Sequence, residues 1–196
     1  MRWNLLAAAL VLGGCGTSRA LPIAKAPQAL QAQGALTHMI EACRQGSRLV
    51  YDELDADEDG TLSRAEWDKR CLAPEAWVEL DGNQDGELAF DEFAPPDWLR
   101  GKANRIFELI DLEFAHYDLD GDHKITGPEL AGEGAAMLMF DLNADHVVWR
   151  AEAVDWWEQF VSGKIGTIVW PACPARKGGP ARPRFLAPGG HLTFDW

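Results

Sequence analysis

Four stretches of this chain place oxygen-bearing side chains at one spacing. "DADEDGTLSRAE" holds Asp55, Asp57, Asp59, Thr61, Ser63 and Glu66, and "DGNQDGELAFDE" holds Asp81, Asn83, Asp85, Glu87 and Glu92. "DLDGDHKITGPE" supplies Asp118, Asp120, Asp122, Lys124, Thr126 and Glu129, and "DLNADHVVWRAE" supplies Asp141, Asn143, Asp145, Val147 and Glu152. Each is twelve residues long, with a carboxylate or amide oxygen at places 1, 3 and 5 and Glu at place 12. Place 8 is always aliphatic: Leu62, Leu88, Ile125 and Val148. From average residue usage, such a match has a chance of roughly 10⁻⁵ per window, so four between Asp55 and Glu152 constitute a repeat. Acids packed this densely repel one another until a cation reverses the sign of the interaction.

The chemistry that fits is capture of a hard divalent ion. Ca²⁺ takes about six to eight oxygens at about 2.3–2.6 Å. Places 1, 3, 5 and 12 would supply side-chain oxygens. Place 7 would supply its backbone carbonyl, which leaves Thr61, Glu87, Lys124 and Val147 free to differ in side chain. Place 9 acts through water or a side-chain oxygen, as at Ser63 and Thr126. Ala89 and Trp149 leave that position to water.

These loops resemble the EF-hand over about Leu36 to Val161. The resemblance implies an all-α fold of two EF-hand pairs, in which the place-8 residues meet in short β-bridges between paired loops. It also implies up to four bound Ca²⁺, coupled within each pair. The first two loops match best. The sharp turn at place 6 ordinarily takes Gly because φ is positive there. Gly60 and Gly86 comply, whereas His123 and His146 stand in the third and fourth loops. A residue with a Cβ costs about 1 kcal/mol in that conformation, which ranks those sites weaker. Each His is read as filling its turn with the ring in solvent, against zinc ligation or a pH switch.

The elements that must hold these loops are helices. Leu36, Met39, Ile40, Cys43, Val50 and Leu54 recur at roughly helical spacing before the first loop, interrupted by Gly46. Ile106, Phe107, Ile110, Phe114 and Tyr117 form a stripe before the third, and Val154, Trp157 and Phe160 or Val161 form one after the fourth. Pro74 bends the connection between the first two loops, and Gly132 and Gly134 bend the later one. Such short helices disfavour the deep Met-rich groove with which calcium sensors clamp a target. Pro95-Pro96 divides a first pair, 34–94, from a second, 97–161. Trp67, Trp77, Trp98, Trp156 and Trp157 are expected in the small cores of the two halves.

The ends differ in composition. Residues 1–14 combine Arg2 with an apolar run from Leu5 to Leu12, too short to span a bilayer. They read as a secretory leader. "Leu12-Gly13-Gly14-Cys15" resembles the lipobox of bacterial lipoproteins, which implies acylation of Cys15 and an outer-membrane address. Residues 15–33 read as a tether. Residues 162–196 are basic and rich in Pro and Gly, which predicts a tail without regular structure; Ile168, Val169 and Trp170 are its candidates for docking in an apolar groove. Cys43 and Cys71 flank the first loop and either bridge or stay as buried thiols, with Cys173 a competing partner.

A formal charge of −13 excludes nucleic acid as a natural partner, since phosphate binding requires a basic face. No nucleophile elbow, His-Glu-x-x-His, phosphate loop or Cys/His pairing marks an enzyme. The reading is a non-enzymatic calcium-binding lipoprotein of the bacterial envelope. Its calcium would be structural or weakly sensing, with an unidentified envelope protein as partner. The alternatives are a scaffold or adhesion component whose ions only hold the fold and, remotely, a calcium-dependent accessory to an enzyme.

Overall fold

A computed structural model describes residues 26–170, 184–188 and 193–195. The leader, Cys15 and Cys173 lie outside the described residues. The fold is mainly helical with small antiparallel sheets. Helix α1 (Ala26–Leu54) leads to strand β1 (Leu62–Ser63), then α2 (Arg64–Lys69) and α3 (Pro74–Leu80). Strand β2 (Glu87–Leu88) and the single turn α4 (Phe90–Phe93) follow, then the long α5 (Pro96–Tyr117). Strand β3 (Lys124–Thr126), two 3-10 segments (Gly127–Leu130 and Gly132–Phe140), β4 (Val147–Trp149) and α6 (Arg150–Val161) complete the helical body.

The expected breaks are where the sequence puts them. Pro74 and Pro96 each occupy a first helical turn, where the missing N–H costs nothing. Gly132 has φ +60, which ends one 3-10 segment and begins the next. Helix α1, however, begins at Ala26, inside the stretch read as a tether, and runs through Gly46 without a break.

The core is one cluster rather than two. Helix α1 packs on both α5 and α6, and α5 packs on α6. Met39, Val50 and Tyr51 of α1 are buried in the same cluster as Leu99, Ile106 and Ile110 of α5 and Trp157 and Phe160 of α6. The physical reason is that none of these helices has enough apolar face in its own pair to exclude water on its own. Arg150 reinforces the junction through an ion pair with Asp111 at 2.7 Å. Four of the five tryptophans expected in the core are buried, but Trp98 is 37% exposed, with the Lys102 ammonium over its ring.

The tail departs from expectation. β5 (Thr167–Val169), β6 (Arg184–Leu186) and β7 (Thr193–Asp195) form an antiparallel sheet in the order β5-β6-β7, with Ile168 opposite Phe185. Ile168 and Trp170 pack on the core and Ala187 is buried in it, whereas Val169 is exposed. Gly166 (φ +88) makes the approach feasible, since a Cβ there would lie 2.5 Å from the Leu186 carbonyl. Composition alone hid this sheet because its strands are three residues long and separated by Pro- and Gly-rich chain.

The Cys43–Cys71 bridge does not form. Cys43 is a free thiol buried in the α1 face, and burial pushes it up to about 12 against the opposing charge of Lys102. Cys71 is disulfide-bonded. It sits just beyond α2 with φ +55, outside the core packing that holds Cys43.

Candidate metal centres

The helices and short strands hold the four loops in two back-to-back pairs. Leu62 stands opposite Leu88, and Ile125 opposite Val148, each in antiparallel register. All four place-8 side chains are fully buried. This register fixes the loops of each pair against one another. Tyr51, which sequence reasoning passed over, locks the first pair. Its hydroxyl lies 2.7 Å from the Leu88 carbonyl and 3.0 Å from the Gly60 carbonyl, so one fully buried phenol joins both loops. The signal was present: Tyr51 lies four residues before Asp55, on the face of α1 that carries Cys43, Val50 and Leu54 inward.

The backbone follows one course through all four loops. Place 6 is left-handed at Gly60 (φ 88), Gly86 (φ 85), His123 (φ 67) and His146 (φ 61). Place 4 is left-handed too, at Glu58 (φ 60), Gln84 (φ 59), Gly121 (φ 77) and Ala144 (φ 59). The second set was not anticipated. Its sequence trace is the lone Gly121, the residue type that occupies this region without strain.

That course aims backbone N–H groups at the acids. The place-6 N–H donates to the place-1 carboxylate in every loop: Gly60 to Asp55, Gly86 to Asp81, His123 to Asp118 and His146 to Asp141. The place-5 N–H donates to place 3, from Asp59 to Asp57, Asp85 to Asn83, Asp122 to Asp120 and Asp145 to Asn143. The place-7 N–H donates to place 5, from Thr61 to Asp59, Glu87 to Asp85, Lys124 to Asp122 and Val147 to Asp145. The place-9 N–H donates to the place-12 Glu, from Ser63 to Glu66, Ala89 to Glu92, Thr126 to Glu129 and Trp149 to Glu152. The loops thus gather acidic side chains instead of letting them splay apart.

The odd-numbered loops close further. Glu66 also accepts from the Ala56 N–H at 2.6 Å, and Glu129 from the Leu119 N–H at 2.7 Å, so each place-12 carboxylate reaches back across its loop. Burial alone would raise the Glu66 carboxyl, but hydrogen bonds from the Ser63 backbone and hydroxyl and from the Ala56 and Asp57 N–H groups hold it below its ordinary range. Carboxylate oxygens of Asp55, Asp57 and Asp59 lie within 4.8 Å of one another, as do those of Asp118, Asp120 and Glu129. The second and fourth loops make no such acidic trio among the described residues, because Asn83 and Asn143 replace one carboxylate. Acidic grouping therefore favours loops one and three, whereas the turn glycines favour one and two.

The donor set fits a hard cation. Places 1, 3, 5 and 12 offer oxygen only. Asp55 is 7% exposed, yet among the described residues no Lys or Arg lies within ion-pair distance of it. Asp81 Oδ1 is buried and accepts no hydrogen bond. A buried carboxylate oxygen left in that state is costly unless a cation meets it. Lys124 counters a loop acid directly, with Nζ 3.1 Å from Asp122 Oδ2, and Arg44 pairs with Asp91 of the second loop at 3.5 Å. His123 and His146 are exposed and belong to no metal-holding cluster among the described residues. What the structure assigns them is the turn N–H.

Two strained positions make the fourth loop improvable. Ala144 and His146 both carry a Cβ at positive φ. Replacing both with Gly is expected to stabilise the metal-free chain by about 1 kcal/mol, the relief of left-handed strain being partly offset by a freer unfolded chain. The urea midpoint in chelator measures it; an unchanged or lower midpoint refutes the strain. No protein-family model matches the chain, and no curated protein matches it either.

Proposed function

We propose that the four loops are EF-hands, joined in two pairs, and that the protein is a non-enzymatic calcium-binding protein. The observation that carries this reading is the fourfold recurrence of one loop geometry: left-handed places 4 and 6 with the same four N–H-to-side-chain bonds. The proposed ligands are the side chains at places 1, 3, 5 and 12 and the place-7 carbonyls. Bound calcium would supply the positive charge that these loops otherwise lack. The chain's own part is to preset the oxygens through backbone N–H groups and to keep the paired loops in register through the buried place-8 residues.

Calcium in this proposal maintains shape instead of baring a groove. The apolar faces that a sensor would expose are consumed by α1 packing on α5 and α6. The leader and the Cys15 lipobox place the protein, in the same proposal, on the bacterial envelope as a lipoprotein. Among the described residues no helix is long and apolar enough to cross a membrane, so the anchor in this reading is the lipid. Envelope modules of this type bind at about 10⁻⁴–10⁻³ M.

Calorimetric titration of the chelator-stripped full chain with calcium chloride tests the reading. Saturable uptake by more than one site is expected, and Glu66→Gln should lose one of them. Absence of heat and of bound metal at millimolar calcium would refute it.

A further inference from the structure

One hydroxyl touches both loops of the first pair. Tyr51 Oη donates toward the Leu88 carbonyl at 2.7 Å and the Gly60 carbonyl at 3.0 Å, so one proton is divided between two acceptors. Each acceptor belongs to a peptide group whose N–H meets a proposed ligand. The Gly60 carbonyl shares its peptide group with the Thr61 nitrogen, and the Thr61 N–H donates to Asp59 at 2.9 Å. The Leu88 carbonyl shares its peptide group with the Ala89 nitrogen, and the Ala89 N–H donates to Glu92 at 3.1 Å. A continuous path of hydrogen bonds and peptide groups therefore runs from Asp59 of loop one through Tyr51 to Glu92 of loop two. Hydrogen bonds in such a chain polarise one another. The phenol ring is caged. Phe90 and Phe93 of α4 meet it edge-on, each with its centroid 5.5 Å away, and the Arg48 guanidinium lies over it at 5.2 Å. The second pair is built differently. Tyr51 stands four residues before Asp55; four residues before Asp118 stands Phe114, buried but without a hydroxyl.

We propose that Tyr51 is a positioning residue that couples the first two metal sites, so that filling either loop strengthens binding at the other. The inference rests on the reading of the loops as calcium sites. It goes beyond the strand bridge that both pairs possess, because the phenol adds a second link to the first pair. The physical basis is ordering. A caged ring with one hydroxyl proton serves both carbonyls only while the two loops keep one spacing. Asp59, once held by a cation, fixes the Gly60–Thr61 peptide group through the Thr61 N–H. Tyr51, held by that carbonyl, then steadies the Leu88–Ala89 peptide group, whose N–H presents Glu92. Part of the ordering that the second site requires is thus already met by the first, which is positive cooperativity without a change of fold. Linkage makes the effect reciprocal. In the second pair Phe114 offers no such link, and the register of Ile125 with Val148 carries the contact between the loops.

The test is a titration of the chelator-stripped full chain with calcium chloride, followed by nuclear magnetic resonance. The Gly60 amide reports loop one and the Gly86 amide reports loop two. Glu92→Gln removes the closing carboxylate of loop two. With Tyr51 in place, it should raise the calcium needed to half-fill loop one by about fivefold or more. An unmoved half-point would overturn the coupling, and this arm requires no change at Tyr51. The second arm repeats the comparison in Tyr51→Phe, which keeps the ring between Phe90 and Phe93 and removes only the hydroxyl. There Glu92→Gln should move the loop-one half-point by less than about twofold. A merely structural role for Tyr51 would weaken loop one equally with and without Glu92→Gln, so a shift as large as in the Tyr51 chain would overturn its part in the coupling. Glu66→Gln, read at Gly86, should return the same factor as Glu92→Gln read at Gly60. If neither amide responds to millimolar calcium in any variant, the calcium reading falls and the coupling with it. If both respond independently of each other, the coupling alone falls.

Discussion

Chelation of calcium is expected to lower the melting temperature by about 10 °C or more, with recovery on adding millimolar calcium but not magnesium at equal concentration. The magnitude follows from linkage. A ligand that binds only the folded chain at about a hundred times its Kd, which for a site of about 10⁻⁴ M is reached at about 10 mM calcium, stabilises by about 2.7 kcal/mol per site. Two filled sites at that level contribute about 5 kcal/mol, and for a chain of this size each kcal/mol moves the midpoint by about 2–4 °C. The effect is expected to be large here because the loops assemble acids in advance. Asp55 is buried and Asp81 Oδ1 is buried without a hydrogen-bond partner. Without a cation those groups oppose folding; with one they favour it. Magnesium should substitute poorly, since it prefers a smaller octahedral shell and retains its water. The measurement is a pair of thermal melts by circular dichroism, with and without chelator. Superimposable curves would refute calcium as a stabilising ligand.

Phe160→Ala should cost about 3–5 kcal/mol, the range for emptying a buried aromatic position. Phe160 is fully buried on α6. Its ring stacks on Trp156 with centroids 5.0 Å apart and meets Trp157 edge-on at 5.7 Å. It also forms the floor under Gly166, where an added Cβ would come within 3.1 Å of it. Truncation therefore opens a cavity where α6 and the C-terminal sheet meet, and neither neighbour is positioned to collapse into it without moving its own partners. The loss should appear as a lower urea midpoint with and without calcium, because Phe160 packs on Trp156, Trp157 and the Gly166 turn and stands outside the four loops. A cost below about 1 kcal/mol would mean that the sheet closes over the gap. Val169→Ala, at an exposed position of the same sheet, is the control and should stay within about 0.5 kcal/mol.

Much of the loop architecture was legible because it rests on local rules. Asp at alternate places, Gly60 and Gly86 at the sharp turn, and an aliphatic residue at place 8 each state a backbone requirement that twelve residues express in full. The registers Leu62 with Leu88 and Ile125 with Val148 follow from them. What sequence left hidden depends on distant partners. The roles of Leu99 and Ala103 arise only once α5 meets α1. The left-handed place 4 was concealed because Glu58, Gln84 and Ala144 give no chemical hint of it. The tail sheet was obscured because strands of three residues are too short to show a period, yet Ile168 of β5 and Ala187 just after β6 find cover on the helical body. Of the two readings left open for Cys43, the buried thiol holds, because its place on the inward face of α1 gives it core neighbours.

Helix α1 also limits how this chain can be divided. It begins the first half but spends its apolar stripe on helices of the second. Severing the backbone at Pro95 would strand Met39, Val50 and Leu54 on one fragment and Leu99, Ile106 and Phe160 on the other, each facing water. The halves therefore cannot be shuffled between proteins like beads. Natural recombination that keeps either one must carry its counterpart, or redesign a whole helix surface at once.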